Sequence, residues 1–172
     1  MTDIPEKIPD CVVRLLARSQ WYSDVSVFER ARLAPANRLA FWLSGPTFAG
    51  RSDIAAITLG HTIYFRAEQH FDPHSARGLS LLAHEVKHVE QIERSGLAGF
   101  YRSYLGDYLQ RGYGEGMPQE AEAYELGRAV YEQIQSEMNF NAGQPVCLGA
   151  QAVHLANPGF ALLAAQQFRA HS

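Results

Sequence analysis

The stretch Leu81-Leu82-Ala83-His84-Glu85-Val86-Lys87-His88-Val89-Glu90-Gln91 decides how this chain is read. Leu82, Val86 and Val89 recur at helical spacing, so the segment predicts a helix with an apolar stripe turned to the core. His84 and His88 are four residues apart, which puts both imidazoles on one face, one turn above the other. Two imidazoles so placed can reach one metal ion at about 2.0–2.1 Å, leaving positions for a third ligand and water. Glu85 projects about 100° round the helix from His84, close to such an ion without binding it. That is where a base for metal-bound water must stand. With seven histidines in 172 residues, an accidental H-E-x-x-H somewhere in the chain has a chance of roughly 2%. The competing explanation is a solvated helix carrying two surface histidines.

The residues after His88 narrow the class of site. A metzincin pattern wants glycine and histidine where this chain has Gln91 and Arg94, so that class is excluded. A gluzincin-type site takes its third protein ligand from elsewhere. Pro118 opens a long helix predicted to reach about Met138, with Ala123, Gly127, Val130, Ile134 and Met138 as its inward stripe. Glu120 shares that face, and an inward carboxylate is costly unless paired or bound to a cation. Glu122 and Glu125 fall off the stripe. Glu120 is therefore the expected third ligand, with Glu122 in reserve.

Around these two helices the pattern is simpler. Residues 54–59 and 62–66 are rich in β-branched and aromatic side chains, and Gly60-His61 between them predicts a tight hairpin. A helix is predicted from about Ala76 to Ser95, stopped by Gly96, and another from Leu97 to Gln110. Its aromatic stripe, Phe100, Tyr101, Tyr104 and Tyr108, reads as packing. Gly112 to Met117 reads as a flexible link. Nearer the start, Pro9 opens a short helix through Val12, Val13, Leu15 and Leu16. Asp24 to Glu29 alternates and leans towards a strand, with a helix through Arg32 as the alternative. Pro35 to Leu43 and Gly159 to Ala170 resemble helices. His61, His70, His74 and His171 read as solvent-facing, and His154 as a core or supporting group.

At 172 residues, 47% hydrophobic and 19% charged, the chain is ordinary globular material. It reads as one domain over 1–172, with a core at about 50–140 and helical extensions on either side. The net charge of −3 and pI near 6.1 exclude a global basic field for nucleic acid. No apolar run approaches the ~18 residues that cross a bilayer, and the start shows no leader pattern. The expected location is cytoplasmic, with any export non-classical. Cys11 and Cys147 are too distant in sequence for a close-spaced metal pair. They read as buried free thiols, with a disulfide as the alternative.

The hairpin 54–66, the run Gly78 to Gln91 and the segment Pro118-Gln119-Glu120-Ala121-Glu122-Ala123 together resemble a known family. It is the zincin-like peptidase domain often encoded beside bacterial extracellular contractile injection systems. The resemblance covers about residues 50–130 and is most specific in the H-E-x-x-H helix. It implies an α+β, zincin-like fold, with a small antiparallel hairpin or sheet over the active-site helix and further helices. It also implies a bacterial source, zinc bound by His84, His88 and Glu120, and Glu85 as the catalytic carboxylate. Two positions depart from the family pattern. Lys87 puts a charge where an uncharged residue is usual, and Tyr124 stands where many relatives have Asp. The function expected is a zinc-dependent metallopeptidase acting on a peptide or protein substrate, with neither nucleic acid nor membrane as partner. Tyr113, Tyr124 and His154 are its candidate oxyanion donors. The alternative is a zinc-stabilised interaction module travelling with a secretion-system or toxin assembly.

Overall fold

The computed structural model describes residues 5–17, 22–35, 55–65, 72 and 75–140, with side chains described as far as residue 136. Among these residues the fold is mixed α+β, with five helices and four strands. The order is β1 (Glu6–Lys7), α1 (Asp10–Leu16), α2 (Val27–Arg30), β2 (Arg32–Pro35), β3 (Ala56–Leu59), β4 (Thr62–Phe65), α3 (Ala76–Ser95), α4 (Leu97–Arg111) and α5 (Pro118–Phe140).

Helix α3 is the axle of the molecule. It begins where the Ser75 side chain accepts a hydrogen bond from the Gly78 N–H, satisfying one of the free amides of the first turn. Leu79, Leu82, Ala83, Val86 and Val89 are fully buried. They join Val12, Leu16, Val27 and Phe28 of α1 and α2 and Val130 and Ile134 of α5 in one cluster. Each such Leu or Val contributes about 1.5–3 kcal/mol. That offsets an unusual amount of polar burial on the same helix, because His84, Glu85, Lys87, His88, Glu90 and Gln91 are buried too. The sequence predicts core on one side and histidines on an open side. In the structure α5, the hairpin and the segment around Tyr22 enclose the other faces as well. The solvated-helix explanation is thereby excluded.

The sheet has the order β1-β2-β4-β3. Strands β3 and β4 form the expected hairpin, with Leu59 opposite Thr62 and Gly60 at φ +61° making the turn. The sheet as a whole corrects the antiparallel expectation. Strand β2 runs parallel to β4, from Arg32 opposite Thr62 to Pro35 opposite Phe65, and β1 pairs antiparallel with β2. The N-terminal third is thus not only a helical extension, since it supplies two of the four strands. The parallel pairing joins segments about thirty residues apart, and no local pattern records it.

Asp24 to Glu29 is a second correction. Asp24 Oδ1 accepts from both the amide and the hydroxyl of Ser26, at 2.9 and 2.6 Å. That side chain-to-backbone bond favours a turn over an extended ladder, and the chain enters α2 before β2 begins at Arg32. Pro35, read as a helix start, ends β2 instead. Cys11 is disulfide-bonded and not the free thiol expected. The helices read at 36–43 and 159–170, together with Cys147, His70, His74, His154 and His171, lie outside the described residues. No helix among the described residues is long and apolar enough to cross a membrane.

Candidate metal centre

Helices α3 and α5 bring His84, His88 and Glu120 together. Their ligating atoms lie within 4.8 Å of one another, and all three residues are buried. The two imidazole Nε2 atoms face each other at 3.2 Å. Glu120 Oε2 is 3.4 Å from His84 Nε2, and Oε1 is 3.5 Å from His88 Nε2. Among the described residues Glu120 Oε2 is buried with no well-formed hydrogen bond, its one polar neighbour being His84 at that 3.4 Å separation, which is costly for a carboxylate oxygen unless a cation meets it. Burial works to raise the Glu120 carboxyl. The neighbouring His84 and His88 and the Tyr104 hydroxyl outweigh it and hold the group below the usual carboxylate range.

The protonation pattern around His88 follows from its neighbours. Gln91 Nε2 donates to the Gln119 carbonyl at 3.0 Å and to Glu122 Oε2 at 2.8 Å. Those two acceptors fix the amide orientation, so Gln91 Oε1 is the atom 2.9 Å from His88 Nδ1. An oxygen there requires a proton on Nδ1, and in the neutral ring this leaves the lone pair on Nε2, aimed at Glu120 and His84. This is the tautomer a metal ligand needs. The donor set fits a divalent cation, and two imidazoles with one carboxylate suit zinc better than calcium or magnesium.

Glu122, the reserve ligand, therefore has another place. It holds Gln91, and its carboxylate also meets Arg94 at 3.1 Å and Lys87 at 3.4 Å. Lys87, the unusual charge in the motif, is buried and pairs with Glu90 at 2.6 Å. The other Glu90 oxygen accepts from the Ser23 amide and hydroxyl. Tyr124 packs its ring edge-on to His84 with centroids 4.7 Å apart.

Glu85 stands beside the three donors without joining them. Thr58 of β3 donates to Glu85 Oε2 at 2.7 Å. Burial pushes the Glu85 carboxyl up to about 7, against the influence of His88 and the Thr58 bond and with that of Glu120. Two clefts of about 630 and 540 Å³ meet at this point, sharing Ala56, His84, Glu85 and Tyr113. The larger runs between β3 and α4 past Leu97, Phe100, Tyr101 and Leu105, and the smaller past Arg77, Tyr124 and Arg128. The Tyr113 hydroxyl bonds that of Tyr124, and burial raises both phenols, so both stay protonated at neutral pH and one O–H of the pair is left to donate elsewhere.

Three contributors escaped the sequence reading. Gln91 lies one turn beyond His88, and its spacing alone points to that imidazole. Thr58 and Tyr104 carry no such signal, because their partners lie on other elements.

The fold and site define an α+β protein with a buried His-His-Glu group able to hold a metal ion. Residues 47–96 match the family model described as the eCIS core domain. That match supports an association of this part of the chain with extracellular contractile injection systems, and it contains the hairpin and α3 but neither α4 nor α5. No curated protein and no solved structure matches the chain.

Proposed function

We propose that the chain is a zincin-like, zinc-dependent metallopeptidase working alongside a bacterial contractile injection system. The observation that carries this reading is the placement of Glu85. It is a buried carboxylate on the residue after one candidate ligand, outside the ligand set, facing two clefts. A purely structural zinc site is closed by four protein ligands and has no use for a base beside it.

His84 Nε2, His88 Nε2 and Glu120 Oε2 would hold the ion. Bound there, zinc would lower the pKa of a water and polarise a substrate carbonyl. The chain's own residues supply the rest. Thr58 occupies Glu85 Oε2, so Oε1 is the atom available to take a proton from the attacking water and later deliver it to the leaving amine. Among the described residues strand β3 is an edge strand along the larger cleft, and an extended polypeptide pairing with its backbone would displace the Tyr101 hydroxyl from Thr58 and Gly60 and present a carbonyl at Glu85. Because the Tyr113 and Tyr124 hydroxyls bond each other, this pair has one phenolic proton left that could be donated to a developing oxyanion.

The test compares wild type and Glu85→Gln at matched zinc content on a mixed peptide library. The amide keeps the carboxylate's shape but cannot take the proton. Metal content and melting temperature should be retained while cleavage falls by a factor of ~10² to 10⁴. Equal cleavage by the two proteins removes Glu85 from catalysis. Stoichiometric zinc with no cleavage by either, against a working positive control, favours the zinc-stabilised interaction module.

A further inference from the structure

Helix α4 lies outside the matched family segment, and its aromatic residues read in the sequence as packing alone. Its side-chain anchorage is thin. Phe100 is its one buried residue, while Leu97, Leu105 and Leu109 are exposed. What holds it against the site is largely polar. The Tyr101 hydroxyl donates to the Thr58 carbonyl at 3.3 Å and accepts from the Gly60 amide at 3.2 Å, which ties the helix to the edge of β3. Tyr104 donates to Glu120 Oε1 at 2.6 Å. The two oxygens of Glu120 are therefore unlike: one is satisfied by a phenol at 2.6 Å, and the other is buried with only the longer 3.4 Å contact to His84.

We propose that Tyr104 is a positioning residue for Glu120, occupying Oε1 so that Oε2 is the oxygen presented to the metal. Through that bond, metal binding and the docking of α4 over the larger cleft are coupled. This rests on the metal reading above, and the two can fail separately. The physical basis is that a ligating carboxylate without an outer partner can rotate about its terminal torsion. A phenol fixed on a neighbouring helix removes that freedom, and such partners are commonly worth 10- to 100-fold in metal affinity. The coupling runs both ways by linkage: a cation that fixes Glu120 also fixes the acceptor to which α4 is tied.

The experiment measures zinc affinity of the full chain by competition with a chromophoric chelator, together with hydrogen exchange of residues 97–111 with and without zinc. Tyr104→Phe should bind zinc 10- to 100-fold more weakly than wild type. Tyr108→Phe, which removes a phenol from the same helix and cleft, should stay within about threefold. In wild type, zinc should slow exchange across 97–111, and in Tyr104→Phe that protection should largely disappear. Equal zinc affinity in Tyr104→Phe and wild type overturns the positioning role and leaves the metal reading intact. Absence of zinc binding by wild type overturns both. Should Tyr104→Phe fail to fold, the wild-type exchange measurement decides, because zinc binding without protection of 97–111 overturns the coupling.

Discussion

Replacing Gly127 by alanine tests whether the distance between α3 and α5 sets the metal centre. A Cβ at this position would lie 3.2 Å from the Ser80 carbonyl oxygen, 3.3 Å from Ser80 Oγ and 3.6 Å from His84 Cβ. The first two separations are tighter than ordinary contact by a few tenths of an ångström. The Ser80 hydroxyl also donates to the Gly127 carbonyl at 2.7 Å, pinning the helices together at this point. Ser80 O is backbone within α3 and cannot swing away, so α5 must shift or tilt. Alanine gains about 1 kcal/mol over glycine in a helix interior, against about 1–3 kcal/mol for overpacking. The net loss is about 0–2 kcal/mol, a fall in Tm of up to about 8 °C for a chain of this size.

The sharper consequence is at the metal. Glu120 sits seven residues from Gly127, about 10 Å along the helix, and metal–ligand distances hold within about 0.2 Å. A displacement of a few tenths of an ångström should therefore cost about tenfold in zinc affinity, or about 1.4 kcal/mol. Thermal melting with and without metal, alongside a chelator competition, reads both effects. A raised Tm with unchanged zinc affinity would refute the reasoning. It would mean that helix propensity wins and that this contact does not seat Glu120 against the histidines.

Other expectations concern the ligands and their supports. His84→Ala and His88→Ala should each abolish stoichiometric zinc in elemental analysis. Glu120→Gln should weaken zinc strongly and Glu122→Gln far less; the reverse order would place the third ligand half a turn away. Gln91→Leu should leave a buried His88 Nδ1–H unpaired, costing about 1–3 kcal/mol in melting experiments and about 10- to 100-fold in zinc affinity. Acid should destabilise the fold through the surface network of Asp24, Arg30, Glu93 and His61. Arg30 holds the Glu93 carboxyl below its usual range, and hydrogen bonds from Ser26 hold Asp24 at about 2. Carboxylates depressed in the folded state stabilise it above their unfolded pKa, and that contribution disappears as pH falls through the folded values. Tm should fall from near pH 5 down to about pH 2, and Glu93→Gln should flatten the descent.

Local periodicity made the helix 76–95, the hairpin turn at Gly60 and the inward phase of Glu120 legible in the sequence. Each depends on residues within two turns or one loop. What escaped depends on neighbours distant in the chain. Tyr22 and Ser23 reach α3 from more than sixty residues away, Tyr22 donating to the Ala83 carbonyl and Ser23 to Glu90. Their contribution to enclosing the motif helix is invisible in the helix itself. Tyr104 fits an aromatic packing stripe equally well whether or not its hydroxyl finds Glu120. The segment 24–29 alternated like a strand because periodicity records side-chain polarity and does not register an aspartate capturing the next turn's amide.

The polar burial on α3 is distributed unevenly, and that distribution bears on what the site is for. On one side of His88 a continuous chain runs from Gln91 to Glu122, Lys87, Glu90 and Ser23. A buried lysine is costly unless its charge is met, and Lys87 is met by two carboxylates. The network contributes less to net stability than to orientation, because a satisfied polar chain allows His88 one tautomer and one rotamer. On the other side, beyond His84, the same helix turns Glu85 towards two clefts, with Thr58 the one hydrogen-bond donor to its carboxylate among the described residues. A site serving structure alone would gain from being closed on both sides. Closure behind His88 and access in front of Glu85 is the asymmetry that the proposed peptidase would need to position a base and admit a substrate. Lys87 belongs to the closed side, paired with Glu90 and Glu122, so it would help to orient His88 without placing a positive charge in the cleft.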